Sequence, residues 1–361
     1  MIIELFIETT KSYIYLNFFE SVKMISVFVP SHITGFFSIF DNENPLIKGS
    51  LGAGVLLDKG VVTEISKSSR ENENHSNHPS ILINGKVDDY NQNIILATIG
   101  LMKKDFDFDL SDVEINLTIQ VPIGCGLGTS AASALGCSIC INELFELGLS
   151  MDECGQYAHL AELELGTGLG DVIGEMSRGI VLRTKPGAPG YGEVRSLVPH
   201  EKTGIGEFIE DDNEFYVLVK SLGEISTSSF IQDSKYHKII TDVGLAMNRE
   251  FTEADDGVLI GSKFKNKFNV AVGDKFNDEE EIRKFMKCSY QFAKRTGLIN
   301  DELISIIHSL NGKVLGASMA MLGNTVFAIL TEKQKFKLEA EHYGEFDFYK
   351  METEGIRIKK D

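Results

Sequence analysis

Residues 121–133 read Val-Pro-Ile-Gly-Cys-Gly-Leu-Gly-Thr-Ser-Ala-Ala-Ser, a segment with the residue types needed to hold a phosphate group. Gly124, Gly126 and Gly128 remove three Cβ atoms, so backbone N–H groups can turn inward on an anion at the head of a helix. Thr129 and Ser130 add hydroxyls where a phosphate or its metal would sit. A phosphate-binding turn is therefore expected over Gly124, Gly126, Leu127, Gly128, Thr129, Ser130 and Ala131; the alternative is a glycine-rich turn that only packs a helix on a strand. Asp171 closes a second glycine-rich run (Gly166, Gly168, Gly170), where a carboxylate could serve as a base or could cap the helix that follows. Glu162 and Glu164 precede it on a helix, two residues apart, so at most one can face the same ligand.

Two familiar phosphate loops fit poorly. A Walker loop needs a Lys before its Ser/Thr, and Thr129-Ser130 has none. Gly126-Leu-Gly128-Thr-Ser-Ala131 spells a dinucleotide fingerprint, yet no second strand ending in Asp or Glu follows about 20 residues on.

These residues must be held by regular elements. Val113, Ile115, Leu117, Ile119 and Val121 alternate with polar residues, predicting a strand that runs into the glycines, and a helix pattern follows over about 130–147. Further helices are expected near 91–104 and 151–166. Upstream, 25–29 reads as a strand and 30–37 as a loop; 49–57 and 61–65 read as strands of a hairpin turning at Asp58-Lys-Gly60. The stretch 184–213 is rich in Gly and Pro without a sustained period, placing a lobe boundary there. Beyond it come a strand over 215–219, helices near 235–251 and 278–296, and a hairpin turning at Gly323-Asn324. Strands, helices and antiparallel hairpins mixed in this way predict an α+β fold.

Composition narrows the function classes. A chain of 361 residues can bury a large core in two domains, expected over 24–200 and 201–361, with residues 1–23 as an N-terminal extension outside the catalytic part. The net charge of −18 opposes nucleic acid and anionic membranes as partners. No run of apolar residues is long enough to span a membrane, and 1–23 lacks the basic start and unbroken apolar core of a secretory signal. Five cysteines without framework spacing point to a reducing, cytoplasmic compartment. Cys137-Ser-Ile-Cys140 lies inside the apolar helix and reads as core. His75 and His78 sit in a polar stretch with no convincing partner ligand and read as solvated.

Pro122 through Ala132 resembles the Pro-x-x-x-Gly-Leu-Gly-Ser-Ser-Ala-Ala loop of the galactokinase–homoserine kinase–mevalonate kinase–phosphomevalonate kinase (GHMP) family, with Thr129 replacing the first Ser. The resemblance extends from Met24 to about Leu330. Within the family it runs to the archaeal pantoate kinases, on Val29-Pro-Ser-His-Ile-Thr-Gly-Phe-Phe37, Gly49-Ser-Leu-Gly-Ala-Gly54, Gly166-Thr-Gly-Leu-Gly-Asp-Val172, Lys185-Pro-Gly-Ala-Pro-Gly-Tyr-Gly192 and Gly316-Ala-Ser-Met-Ala-Met-Leu-Gly323. It implies a two-lobe fold, with an N-terminal lobe like ribosomal protein S5 domain 2 and a ferredoxin-like C-terminal lobe. It also implies ATP and Mg2+ as cofactors, pantoate as the acceptor of the phosphoryl group, and allows a homodimer. By this resemblance Asp171 is the catalytic base and Ser130 and Glu162 hold the metal, with Glu164 as the other choice. His32, Thr34 and Arg183 become candidates for substrate binding, with Lys185 beside Arg183, and Phe36 and Phe37 could meet the acceptor's methyl groups or simply pack. Relatives carry Lys or Arg where His32 stands, and Gly or Ser where Met319 and Met321 stand. A kinase for another small acceptor such as homoserine or mevalonate, and a non-catalytic nucleotide-binding protein, are the competing readings.

Overall fold

The computed structural model describes residues 24–67, 79–89, 91–198, 214–223, 234–252, 278–341 and 345–360. The expected extension over 1–23 and the pair His75 and His78 lie outside them.

The first of two sheets contains β1 (Met24–Phe40), β2 (Gly49–Lys67), β3 (Ser80–Ile83), β4 (Val113–Ile119), β5 (Ile180–Lys185), β6 (Glu193–Val198) and the C-terminal β11 (Arg357–Lys360). β1 and β2 pair antiparallel from Met24↔Ser66 to Phe40↔Gly49. This corrects two readings from sequence: 30–37 is not a loop, and Asp58-Lys-Gly60 is not a turn. Each strand has a partner of similar length, so the ladder continues through Pro30 and the glycines, and bulges at Pro30/His32 and Thr34/Phe36 absorb the irregularity. The other edge of β2 is divided. Residues 61–67 pair with β4, while 52–55 pair with β5. Two strands thus diverge from a common neighbour, and the cavity described below lies between their ends.

The alternation in β4 has its expected origin: Val113, Ile115 and Leu117 are buried beneath α1 (Asn93–Asp105), α2 (Thr129–Phe145) and α3 (Met151–Leu165). The small residues at the head of α2 let it lie close on the sheet. A Cβ on Gly136 would stand 2.5 Å from Thr63 Oγ1. Cys137 and Cys140 are buried in this helix, and burial pushes the Cys137 thiol up to about 12, which makes it a small apolar core residue.

The second sheet has β10 (Asp347–Lys350), β7 (Phe215–Ser221), β9 (Thr325–Thr331) and β8 (Gly316–Met319), in that spatial order and antiparallel throughout. Helices α5 (Ser234–Thr252), α6 (Asp278–Thr296) and α7 (Asp301–Ser309) precede β8, and α8 (Glu332–Ala340) precedes β10. Strand order and connection give the ferredoxin-like arrangement. The last strand, β11, returns to pair with β1, so residues 357–360, expected in the second domain, extend the first sheet. Between β8 and β9 the chain does not make a two-residue turn at Gly323-Asn324. Ala320 N–H donates to the Thr325 carbonyl at 2.8 Å, so Met321–Asn324 form a longer tip, with Leu322 at φ 62°. The tip spends its extra residues on a contact: Met321 N–H donates to the Thr34 carbonyl at 2.9 Å.

The second half of β1 joins the layers. Phe36 is fully buried and stacks on Phe251 with ring centroids 6.0 Å apart, and Phe37 meets Phe292 at 5.7 Å. Each such side chain contributes about 1.5–3 kcal/mol by leaving water.

Candidate active site

A cavity of about 630 Å³ opens between β4, α3 and the β8–β9 tip, a volume typical of small-molecule sites. One wall is the glycine turn. Gly124, Gly126 and Gly128 all have left-handed backbones (φ 71°, 78° and 69°), and alternating conformations of this kind aim successive N–H groups into one concavity. Gly128 is the N-cap of α2, so the positive end of a seventeen-residue buried helix faces the same space. Gly124, Gly126, Leu127, Gly128, Thr129 and Ser130 line the cavity; Ala131 is buried behind them.

α3 supplies the second wall. It starts on a capping box between Ser150 and Glu153 and ends at Gly166, whose left-handed backbone turns the chain into the second glycine run. Glu162, in its last turn, is buried in the cavity wall, whereas Glu164 is exposed. Glu162 Oε1 accepts hydrogen bonds from Ser130 Oγ and, at 2.6 Å, from Thr167 Oγ1. Its Oε2 lies against Gly168, where any Cβ would overlap it. Burial raises this carboxyl to about 7, against the pull of the two hydroxyls.

Asp171 begins the short helix α4 (Asp171–Glu175), but its side chain does not cap that helix. Asp171 Oδ1 accepts from His32 Nδ1 at 2.8 Å and from Thr34 Oγ1 at 3.1 Å. Oδ2 carries no hydrogen bond among the described residues, and Asp171 lines the cavity. Burial alone would raise the Asp171 carboxyl. The hydrogen bond from His32, the Arg183 charge and the hydrogen bond from Thr34 outweigh it and hold the group below the usual carboxylate range. Burial also lowers His32, against the pull of the Asp171 carboxylate that its Nδ1 faces.

This placement corrects the expectation that His32 binds substrate. His32 is fully buried, does not line the cavity, and points at Asp171, because the strand period puts residues 32 and 34 on the one face of β1 that α4 covers. Thr34 shares that role and also lines the cavity. Arg183, on β5, reaches the cavity floor almost completely buried, and its Nη1 donates to the Gly170 carbonyl at 3.2 Å. Lys185, two residues on, is exposed beside Glu193. Phe36 is core, whereas Phe37 lines the cavity.

With the site assembled, likeness to known proteins carries weight. Residues 93–179 match the family described as GHMP kinases N terminal domain. A pantoate kinase of Thermococcus kodakarensis is 33% identical over 318 residues, 87% of this chain and 90% of the relative. The chain belongs to the GHMP kinase family. A pantoate kinase of Methanocaldococcus jannaschii is 30% identical over 303 residues, 84% of this chain and 92% of the relative. A solved phosphotransferase related to the CoA biosynthesis pathway superimposes with a TM-score of 0.72 at 29% identity, covering 93% of this chain and 98% of that one.

The cavity of this GHMP kinase also holds hydroxyls not singled out in its sequence. Ser50 and Thr167 both line the cavity; each is a hydroxyl directly flanked by glycine within the motifs quoted above, a signal that could have been read. Gly54 and Gly174 hold the His32 ring between them. A Cβ on Gly54 would overlap His32 Nε2 and stand 2.5 Å from both Cε1 and the Ile33 carbonyl oxygen. Gly54→Ala should therefore push the imidazole off Asp171. The expected result is a drop in kcat of about 10-fold or more, the loss of roughly one hydrogen bond to a charged group, with ATP affinity nearly unchanged. Wild-type kcat in that variant, measured by steady-state ADP release, would show that the His32–Asp171 contact is dispensable.

Proposed function

We propose that this kinase transfers the γ-phosphoryl group of ATP to the primary hydroxyl of (R)-pantoate, giving ADP and 4-phosphopantoate on the way to coenzyme A. Two relatives that share most of its length are pantoate kinases, which supports the acceptor. The observation that carries the reading is Arg183. A guanidinium buried at the cavity floor makes no ion pair among the described residues, and its Nε has no hydrogen-bond partner there. The Asp171 carboxylate acts on it without forming an ion pair, which leaves guanidinium donors for a second anion, such as the carboxylate of a small hydroxy acid. Pantoate has that carboxylate, a hydroxyl to phosphorylate, and two methyl groups for which Phe37 offers apolar surface.

The chemistry needs little from the protein beyond placement and charge. The glycine turn and the head of α2 hold the triphosphate through backbone N–H groups. Asp171, anionic and held through Oδ1, presents Oδ2 to the acceptor hydroxyl. As the acceptor oxygen bonds to the γ-phosphorus, its proton passes to Asp171 Oδ2 and the bond to the β–γ bridging oxygen breaks, releasing ADP. Ser130 and Glu162 would hold Mg2+. The donor set fits: one carboxylate and one hydroxyl suit an ion that takes its other ligands from phosphate and water. When bound, that ion neutralises charge on the phosphate oxygens.

No helix of the described residues is long and apolar enough to cross a membrane. All five cysteines are free and buried, which supports a reducing cytoplasmic compartment.

The test is ADP release with pantoate, homoserine, mevalonate and shikimate, alongside pantoyl lactone and pantothenate. Pantoate should be preferred to the last two by about 10²-fold or more, because pantoyl lactone has neither the carboxylate nor a free primary hydroxyl, and pantothenate carries its carboxylate one β-alanine unit further from the hydroxyl than a site built for pantoate would place its cation. Equal or faster turnover of pantothenate or homoserine would overturn the assignment.

A further inference from the structure

Glu175 closes α4, four residues beyond Asp171, and has no part in the chemistry above. It is fully buried, and neither carboxyl oxygen has a partner among the described residues. An unpaired buried carboxylate is one of the costliest groups a fold can hold, so its position calls for a reason. A Cβ on Gly128 would stand 2.5 Å from Glu175 Oε1 and 3.0 Å from the His32 carbonyl oxygen. The carboxyl group thus lies against the last glycine of the cradle, at the head of α2, yet Glu175 does not line the cavity.

We propose that Glu175 is a positioning residue of the phosphate cradle: a carboxylic acid kept neutral behind Gly128, whose ionisation closes the loop to polyphosphate. The proposal rests on the reading of residues 124–131 as the nucleotide site. Burial, then the negative charges of Asp171 at the head of the same helix and Glu162 on α3, push this carboxyl well above the usual carboxylate range. From the other elements packed on α4, β1 brings His32, buried and turned to Asp171, and β5 brings Arg183, which acts on Asp171 and His32. Arg195 on β6 donates to the Phe251 carbonyl. No charged side chain from α2 or β2 acts on Glu175 among the described residues.

A cation in place of the proton finds no support, because neither carboxyl oxygen of Glu175 has a polar partner among the described residues with which to share one. Once ionised, Glu175 would be a third negative charge in a poorly screened site. It would also compete for the positive head of α2, which the phosphates need.

The experiment measures binding of a non-hydrolysable ATP analogue with Mg2+ by calorimetry, from about pH 7.5 to about pH 9.5, where the terminal phosphate (pKa about 6) is already ionised. Wild type, Glu175→Gln and Glu175→Met are compared after thermal melts establish that each is folded. Wild type should weaken by up to about 10-fold per pH unit once Glu175 ionises, while Glu175→Gln and the apolar Glu175→Met hold a constant affinity. Curves for wild type and Glu175→Gln that run parallel, whether flat or falling, overturn the proposal. So does a Glu175→Gln variant that binds about 10-fold more weakly at every pH, since the charge would then be required. Failure of wild type to bind the analogue at any pH would instead remove the cradle reading, and this proposal with it.

Discussion

Asp171→Asn should bind ATP within a few-fold of wild type and lose about 10²–10⁴-fold in turnover, the range a positioned general base supplies. The substitution keeps size and leaves an oxygen to accept from His32 and Thr34, both within hydrogen-bond distance of Asp171 Oδ1. It removes the anionic proton acceptor on a residue that lines the cavity. The loss should therefore appear in kcat, with KM for ATP little changed, as expected of an interaction made only in the transition state. Single-turnover measurement separates the chemical step from product release. Turnover within a few-fold of wild type would mean that Asp171 only orders the loop and that the acceptor proton leaves by another route.

The second large effect is expected at Gly126. Its φ of 78° lies where a β-branched residue is strained, and a Cβ there would stand 3.0 Å from the Gly323 backbone and the Met321 carbonyl oxygen. The collision is with the β8–β9 tip of the other sheet rather than with the ligand. Gly126→Val must therefore displace either the cradle or the tip that closes it. Nucleotide affinity should fall by about 100-fold or more, equivalent to about 3 kcal/mol, while a melting curve still reports a folded protein. Unchanged ATP affinity by calorimetry would place the phosphates elsewhere.

Motifs and buried neighbours differ in how far they can be read from the chain. The cradle was legible because its chemistry is local: three glycines at alternate positions, a strand with period two before them, and a helix after them. Asp171 was legible for a similar reason, as a carboxylate behind spaced glycines. Helix geometry allows at most one of Glu162 and Glu164 to face the cavity, and burial shows that it is Glu162.

The course of β1 and β2 was not legible. Glycine and proline are turn formers in isolation, and Pro30-Ser-His-Ile-Thr-Gly reads as a loop, but a long antiparallel partner with matching bulges satisfies the same backbone as strand. That continuity sets the role of His32: a loop would have left its imidazole free for the acceptor, whereas the strand face turns it onto Asp171, 139 positions away in sequence.

Pairings at such separation depend on which surfaces meet, and local propensity carries no record of them. Glu175 is the extreme case, one acidic residue among 53 with no motif around it. Its relation to Gly128 exists only because α4 packs against β1 and α2. The chain's local chemistry thus specified a glycine turn at the head of a helix and a carboxylate behind spaced glycines, and the long-range packing of β1, α3, α4 and β5 set the surroundings of each charged group, since burial and distance set the energy of a charge and neither is a property of residue type alone.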